Sequence, residues 1–178
     1  WAKAFAFAFG GLGIGAGGGG ASVTHGADVR AWAHGQGRLQ NLEVTARNAA
    51  NLHTTGAGAG GLAGLGVAVG SIKSTTTLAF VAAGSKFDVA DALNVGAWSG
   101  LATSQKAVSG AGSAGLSVAA ATATQDVRAH THAGLGVNWG LGYSLDPAPA
   151  ATTLAAATAT LTALAEVRME QELDVVSV

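Results

Sequence analysis

The sequence predicts an all-β chain wound as a parallel β-solenoid from about three repeats of roughly 50 residues, and three observations predict it. Short runs alternate with period two, large with small or apolar with polar, as in "AFAFAF" (Ala4–Phe9), "DVRAWA" (Asp28–Ala33), "LEVTA" (Leu42–Ala46), "TLAFVA" (Thr77–Ala82), "LNVGA" (Leu93–Ala97) and "DVRAHT" (Asp126–Thr131). Val29, Leu78 and Val127 anchor three of these runs at spacings of 49 residues, and Leu42 and Leu93 anchor a second series at 51. A block of glycine and small residues precedes each unit: Gly10–Gly20, Gly60–Gly70 and Gly110–Ala121.

Each repeat reads as a glycine-rich apolar stretch, a strand, a short polar turn, a second strand and an Asn/Thr/Ser-rich return. Such a unit cannot bury its own apolar faces, so the units must stack. Stacked parallel strands offer backbone N–H and C=O groups to the next rung at about 4.8 Å. Glycine and alanine faces let two sheets approach more closely than bulky side chains permit. With rungs of about 20–25 residues at that spacing, the chain would make roughly 7–9 rungs and a rod of about 35–45 Å.

The repeats occupy residues 1–147. After Pro147 and Pro149, residues 148–178 differ, carrying Glu166, Glu170, Glu172 and Asp174. Ala155–Leu173 suits a helix by propensity, whereas the alternation at Leu154 and Ala156, and again at Leu173 and Val175, suits a strand. Further rungs are the expectation, with a terminal cap or linker helix as the alternative.

Composition narrows the function. The 178 residues are 49 % hydrophobic but only 6 % aromatic, with 28 glycines, so the core must be thin. Charged residues make up 11 %, against about a quarter in an average soluble protein, and the net charge is −1. No basic stripe exists to neutralise phosphates, which argues against nucleic acid as a partner. Low charge also weakens the repulsion that keeps surfaces apart, favouring self-association. The absence of cysteine excludes disulfide scaffolds and thiolate metal sites. The 25 uncharged residues between Arg47 and Lys73 include Asn48, Asn51, His53 and many glycines, too polar for a membrane span. The chain opens on Trp1 with no basic and apolar leader pattern, which reads as a piece of something longer.

The block Gly60–Ser99, "GGLAGLGVAVGSIKSTTTLAFVAAGSKFDVADALNVGAWS", resembles the repeat unit of filamentous-haemagglutinin-like and leukotoxin-type bacterial adhesins. Thr77–Val81 matches the first strand of that repeat, and Val89 and Leu93–Ala97 the strands that follow. Asp28–Ala33 and Leu42–Ala46 repeat the pattern upstream, and Asp126–His130 downstream. The resemblance covers residues 10–145. It implies a right-handed parallel β-helix within a long secreted passenger, displayed on or released from the bacterial cell surface. The high alanine content, and His130 and Trp98 at strand positions usually held by other residues, depart from the family pattern.

Four constellations could carry chemistry. His130 and His132 lie on one strand face, spaced to chelate a metal, but no third ligand is evident and exposed strand histidines are the plainer reading. Asp88 and Asp91 could form the acidic pair of a carbohydrate-active β-helix enzyme, although two acids near Lys86 more often mark a solvated turn. Thr75–Thr77, Thr122 with Thr124, and Thr158, Thr160 with Thr162 resemble ice-binding ladders, yet their spacings do not match one rung. Trp1, Trp32, Trp98 and Trp139 could be sugar-stacking platforms or could plug the ends and corners of the core. Glycine spacings of the dinucleotide type arise by chance in so glycine-rich a chain.

The sequence therefore predicts a structural and adhesive protein, not an enzyme, without catalytic, cofactor-binding or metal residues and without cofactors. Expected partners are further copies of the chain, in oligomers or filaments, and a host-surface or glycan ligand; it is not expected to span a membrane. Carbohydrate-active enzyme and ice-binding solenoid are the alternatives.

Overall fold

The computed structural model describes residues 2–8, 15–113, 116–137 and 151–178. These residues form eight strands and no helix: β1 (Ala2–Ala8), β2 (Ala16–His25), β3 (Asp28–Ala33), β4 (Gln36–Gly60), β5 (Ala63–Ala82), β6 (Lys86–Ala111), β7 (Val118–Val137) and β8 (Thr153–Ser177). Accordingly, none of the described residues forms a helix long and apolar enough to cross a membrane.

Every strand pairing is parallel. Sheet I runs in the order β1-β4-β6-β8. In sheet II, β7 follows β5 along one edge, while β2 and β3 lie end to end along the other, on Ala63–Ile72 and Thr76–Val81. Parallel neighbours need a long connection, normally a helix. Here that connection is the intervening strand of the opposite sheet, because the chain alternates between sheets from β4 to β8.

Gln36 pairs with Lys86 and Ala63 with Val118, so these circuits consume 50 and 55 residues, while the last, from Lys86 to Thr153, takes 67. The expected rung of 20–25 residues is therefore wrong: the 50-residue repeat is one circuit of two long strands. The stack is three to four strands deep, roughly 15–20 Å, shorter than the rod expected. β8 is a strand throughout, and the helix alternative does not form. The boundary at residue 147 lies outside the described residues.

The register corrects one anchor series and bears out the other. Leu42 pairs with Leu93, as their spacing implies. Val29, however, pairs with Thr77, and Leu78 pairs with Arg30 and His132. An irregularity between Ile72 and Thr75 shifts β5, so Thr77 takes the inner position and Leu78 turns to the opposite face of sheet II, where it is buried with Phe80 and Ala82.

The space between the sheets is graded along the strands. At one end Val44, Ala46, Ala79, Val81, Leu93, Val95 and Ala97 form the larger aliphatic cluster. A hydroxyl layer follows: Ser99 Oγ is 2.8 Å from Thr77 Oγ1 and accepts from Thr131 Oγ1 at 2.8 Å. Leu52, Ile72 and Leu101 form the second cluster. Beyond buried Thr54, Ser71, Thr103 and Gln105, the gap closes to backbone against backbone. There a Cβ on Gly56 would lie 1.8 Å from the Val67 carbonyl oxygen, and one on Gly66 would lie 2.0 Å from that of Val108.

The glycine blocks thus seal the narrow edge of a wedge, well inside the usual sheet separation of about 10 Å. Ser109 Oγ donates across this seam to the Gly64 carbonyl at 2.8 Å. At the wide edge the chain turns through Gly84 at φ 81°, a left-handed conformation that needs glycine. Successive turns stack: Lys86 N–H donates to the Gly35 carbonyl at 2.8 Å, and Thr153 N–H to that of Ser85 at 3.0 Å.

Candidate functional site

Asp88 and Asp91 both lie exposed near the wide edge, but each faces a different neighbour. Asp88 is 3.1 Å from Arg38 Nε on β4, and the Gln40 side-chain amide donates to Asp91. Asp91 sits where β6 shifts register between Val89 and Ala92, a bulge at which Ala92 N–H donates to Asn41 Oδ1 at 3.2 Å. The two carboxylates are cross-strand contacts of sheet I and not a paired acid and base.

His130 and His132 project from the outer face of β7, and no group of three His, Cys, Asp or Glu among the described residues could hold a metal ion. The threonine motifs fall in three places. Thr75 and Thr77 are buried between the sheets, Thr76, Thr122 and Thr124 lie on the outer face of sheet II, and Thr158, Thr160 and Thr162 on that of sheet I. They do not share a face, which removes the geometric basis for an ice-binding ladder.

Trp1 and Trp139 lie outside the described residues. Trp32 and Trp98 plug neither end nor corner: both are on outer faces. Trp32 is 52 % exposed and stacks on Phe80 with ring centroids 6.5 Å apart. The Trp98 indole lies over Gly100, whose added Cβ would be 2.4 Å from the ring, while nothing stands within 4 Å of a Cβ on Gly96. The result is a shallow groove of about 410 Å³ floored by Gly96 and bordered by Thr45, Arg47, Trp98, Thr162 and Leu164. It offers an aromatic face, a guanidinium and two hydroxyls, groups suited to a sugar ring.

Charges on these faces form local pairs. The Arg30 guanidinium holds the Asp28 carboxyl below its ordinary range, chiefly by hydrogen bonding. Lys106 on β6 reaches Glu172 at 2.6 Å and Asp174 at 3.0 Å on β8, and those hydrogen bonds raise its pKa.

Sequence reasoning read Leu173 and Val175 on the inner face of β8 but missed Leu161, Val167 and Met169. Leu161, Val167, Met169, Leu173 and Val175 are in register with buried Val95, Leu101, Thr103, Ala107 and Ser109 of β6, yet all five remain about half exposed. The signal was present: from Leu161 to Val175 odd positions are free of charge, while Glu166, Arg168, Glu170, Glu172 and Asp174 hold even ones. A composition rich in Ala, Leu and Glu hid that alternation behind helix propensity. The chain matches no family model, no curated protein and no solved structure.

Proposed function

We propose that this chain is a structural and adhesive segment of a secreted bacterial surface protein, a parallel β-solenoid that extends by stacking and self-associates. The observation that carries the reading is the end of the stack, where β8 keeps its apolar inner row about half exposed. A free strand edge beside an uncovered apolar face is a template for further strands. Parallel pairing with circuits of 50, 55 and 67 residues supports the solenoid. Its right-handed coil, bacterial origin and surface display rest on the resemblance of Gly60–Ser99 to the adhesin repeats.

Attachment is assigned to the outer face of sheet I, where the groove beside Trp98 would stack a sugar ring and Arg47 would contact an acidic substituent. No catalytic role is assigned to Asp88 or Asp91, whose neighbours are Arg38 and Gln40. Two measurements test the reading. Electron microscopy of the purified chain should show filaments with a strand repeat near 4.8 Å; dispersed particles at every concentration would overturn the assembly part. Binding to an array of neutral and acidic glycans should fall at least tenfold in Trp98→Ala, and an array silent for the parent chain would overturn the adhesive part.

A further inference from the structure

At the β8 end, sheet I extends one strand beyond sheet II. The inner row of β8 is 48–57 % exposed at Leu161, Val167, Met169, Leu173 and Val175, whereas their register partners on β6 are 2 % exposed or less. The difference is cover. Among the described residues β6 has β5 and β7 across from it, whereas β8 has β7 alone.

At the opposite end the step is reversed. The β2–β3 strands of sheet II overhang β4, whose edge is taken by β1 only from Thr54 to Gly60. Over the remaining length Leu42 and Val44, with Ala31 and Ala33, line a groove of about 460 Å³ bordered by Trp32 and Glu43. The two ends are complementary halves of a lap joint.

We propose that the β7–β8 end of one copy docks on the β2–β3–β4 end of a second copy. This rests on the stacking solenoid proposed above and names its partner and surface. The strand needed over β8 must run from small residues at the narrow edge to larger ones at the wide edge. β2 and β3 meet the narrow-edge requirement with Gly17, Gly19 and Ala21, and carry Val23, Val29, Ala31 and Ala33 beyond it toward the wide edge.

Carrying the observed registers one step further sets the joint. Gly19 pairs with Gly66 and Gly66 with Ala121, so Gly19 of the second copy falls beside Ala121. Val44 pairs with Val95 and Val95 with Leu161, so Val44 of the second copy falls beside Leu161. The outer rows within the joint also differ in charge: β8 presents Glu166 and Glu170 with Arg168, and β4 presents Arg38, Arg47 and His53 with Glu43, so that Glu170 falls beside His53. β1 limits the joint, because it holds the Thr54–Gly60 edge that Gln171–Ser177 of β8 would otherwise meet.

The native chain has no cysteine, so the joint can be tested by cross-linking. Within one chain Glu43 and Thr160 flank Asn94 on opposite sides, two strands apart, but across the proposed joint they are neighbours. Chains carrying Glu43→Cys, mixed with chains carrying Thr160→Cys and oxidised, should give several-fold more mixed dimer than either homodimer. Sedimentation velocity of cysteine-free chains should show association that Val167→Lys, on the inner row, abolishes and Leu164→Glu, on the outer row beside Arg47 of the second copy, leaves intact, with the far-ultraviolet circular dichroism of both unchanged. Association that survives Val167→Lys without preferential mixed dimer would overturn the lap joint and leave the self-associating reading standing. A parent chain monomeric throughout would overturn both.

Discussion

Gly66 shows how a single hydrogen atom in place of a methyl sets the distance between two sheets. A Cβ there would sit 2.0 Å from the Val108 carbonyl oxygen, and backbone cannot yield as a side-chain tip does. Gly66→Ala should therefore cost about 1–3 kcal/mol by overpacking, more for Gly66→Glu. Gly96→Ala should be neutral or stabilising by up to about 1 kcal/mol, since that Cβ meets open space. Chemical denaturation of the two variants checks the contrast, and equal effects would mean that the seam is not closed as described. Gln105 makes a converse case: it is 1 % exposed, and neither side-chain amide atom has a hydrogen-bond partner. Gln105→Met should raise stability by about 1–3 kcal/mol in the same assay, because it removes an unpaired buried amide while keeping volume. The glycine blocks announced their close approach in the sequence. Asn48, Thr54, Thr103 and Gln105 at inner positions did not, because polar residues inside a sheet pair read as turns or surface when only composition is visible.

Among elements, β4 and β6 are the strands most fully read from alternation, through Leu42, Val44, Leu93 and Val95, while their continuation to Gly60 and Ala111 was not. The inner row changes there from aliphatic to hydroxyl, amide and glycine, so hydrophobic periodicity fades although the strand continues. That is why 20–26-residue strands read as several short ones in the sequence, and why a whole circuit reads as two or more rungs. The shifted Val29–Leu78 anchor has a different cause, a local irregularity in β5 that no spacing reveals. β8 is held to β6 partly by charge, since Lys106 contacts Glu172 and Asp174 and its pKa is raised above 10.5. A raised basic pKa means stabilisation fully present below 10.5 and lost as pH climbs through the higher folded value. The denaturation midpoint of the parent chain should therefore fall toward that of Lys106→Gln as pH climbs above 10.5. Lys106→Gln should have a slightly lower midpoint already at neutral pH, without that extra alkaline step. An identical alkaline profile in both chains would remove Lys106 as the cause. The effect should be modest, as expected of an exposed ion pair.

For the whole molecule, the strand count decides more than any side chain. A stack that starts with β2–β3 overhanging and ends with β8 overhanging has two unlike ends, and unlike complementary ends join head to tail into open chains. β1 interrupts that symmetry by closing seven residues of the β4 edge. Its pairing is confined to the glycine-rich seam, so removing it should spare the aliphatic clusters farther along the wedge. A chain beginning at Gly15 should keep its β-sheet circular dichroism and associate more tightly than the parent. Up to seven further residues of β8 could then pair with β4 of the next copy, and each net backbone hydrogen bond contributes about 0.5–1.5 kcal/mol. Because about 1.4 kcal/mol is tenfold in affinity, even two such bonds would strengthen the joint measurably by sedimentation equilibrium. Weaker association of the shortened chain, with its fold retained, would make β1 part of the joint instead of its stop.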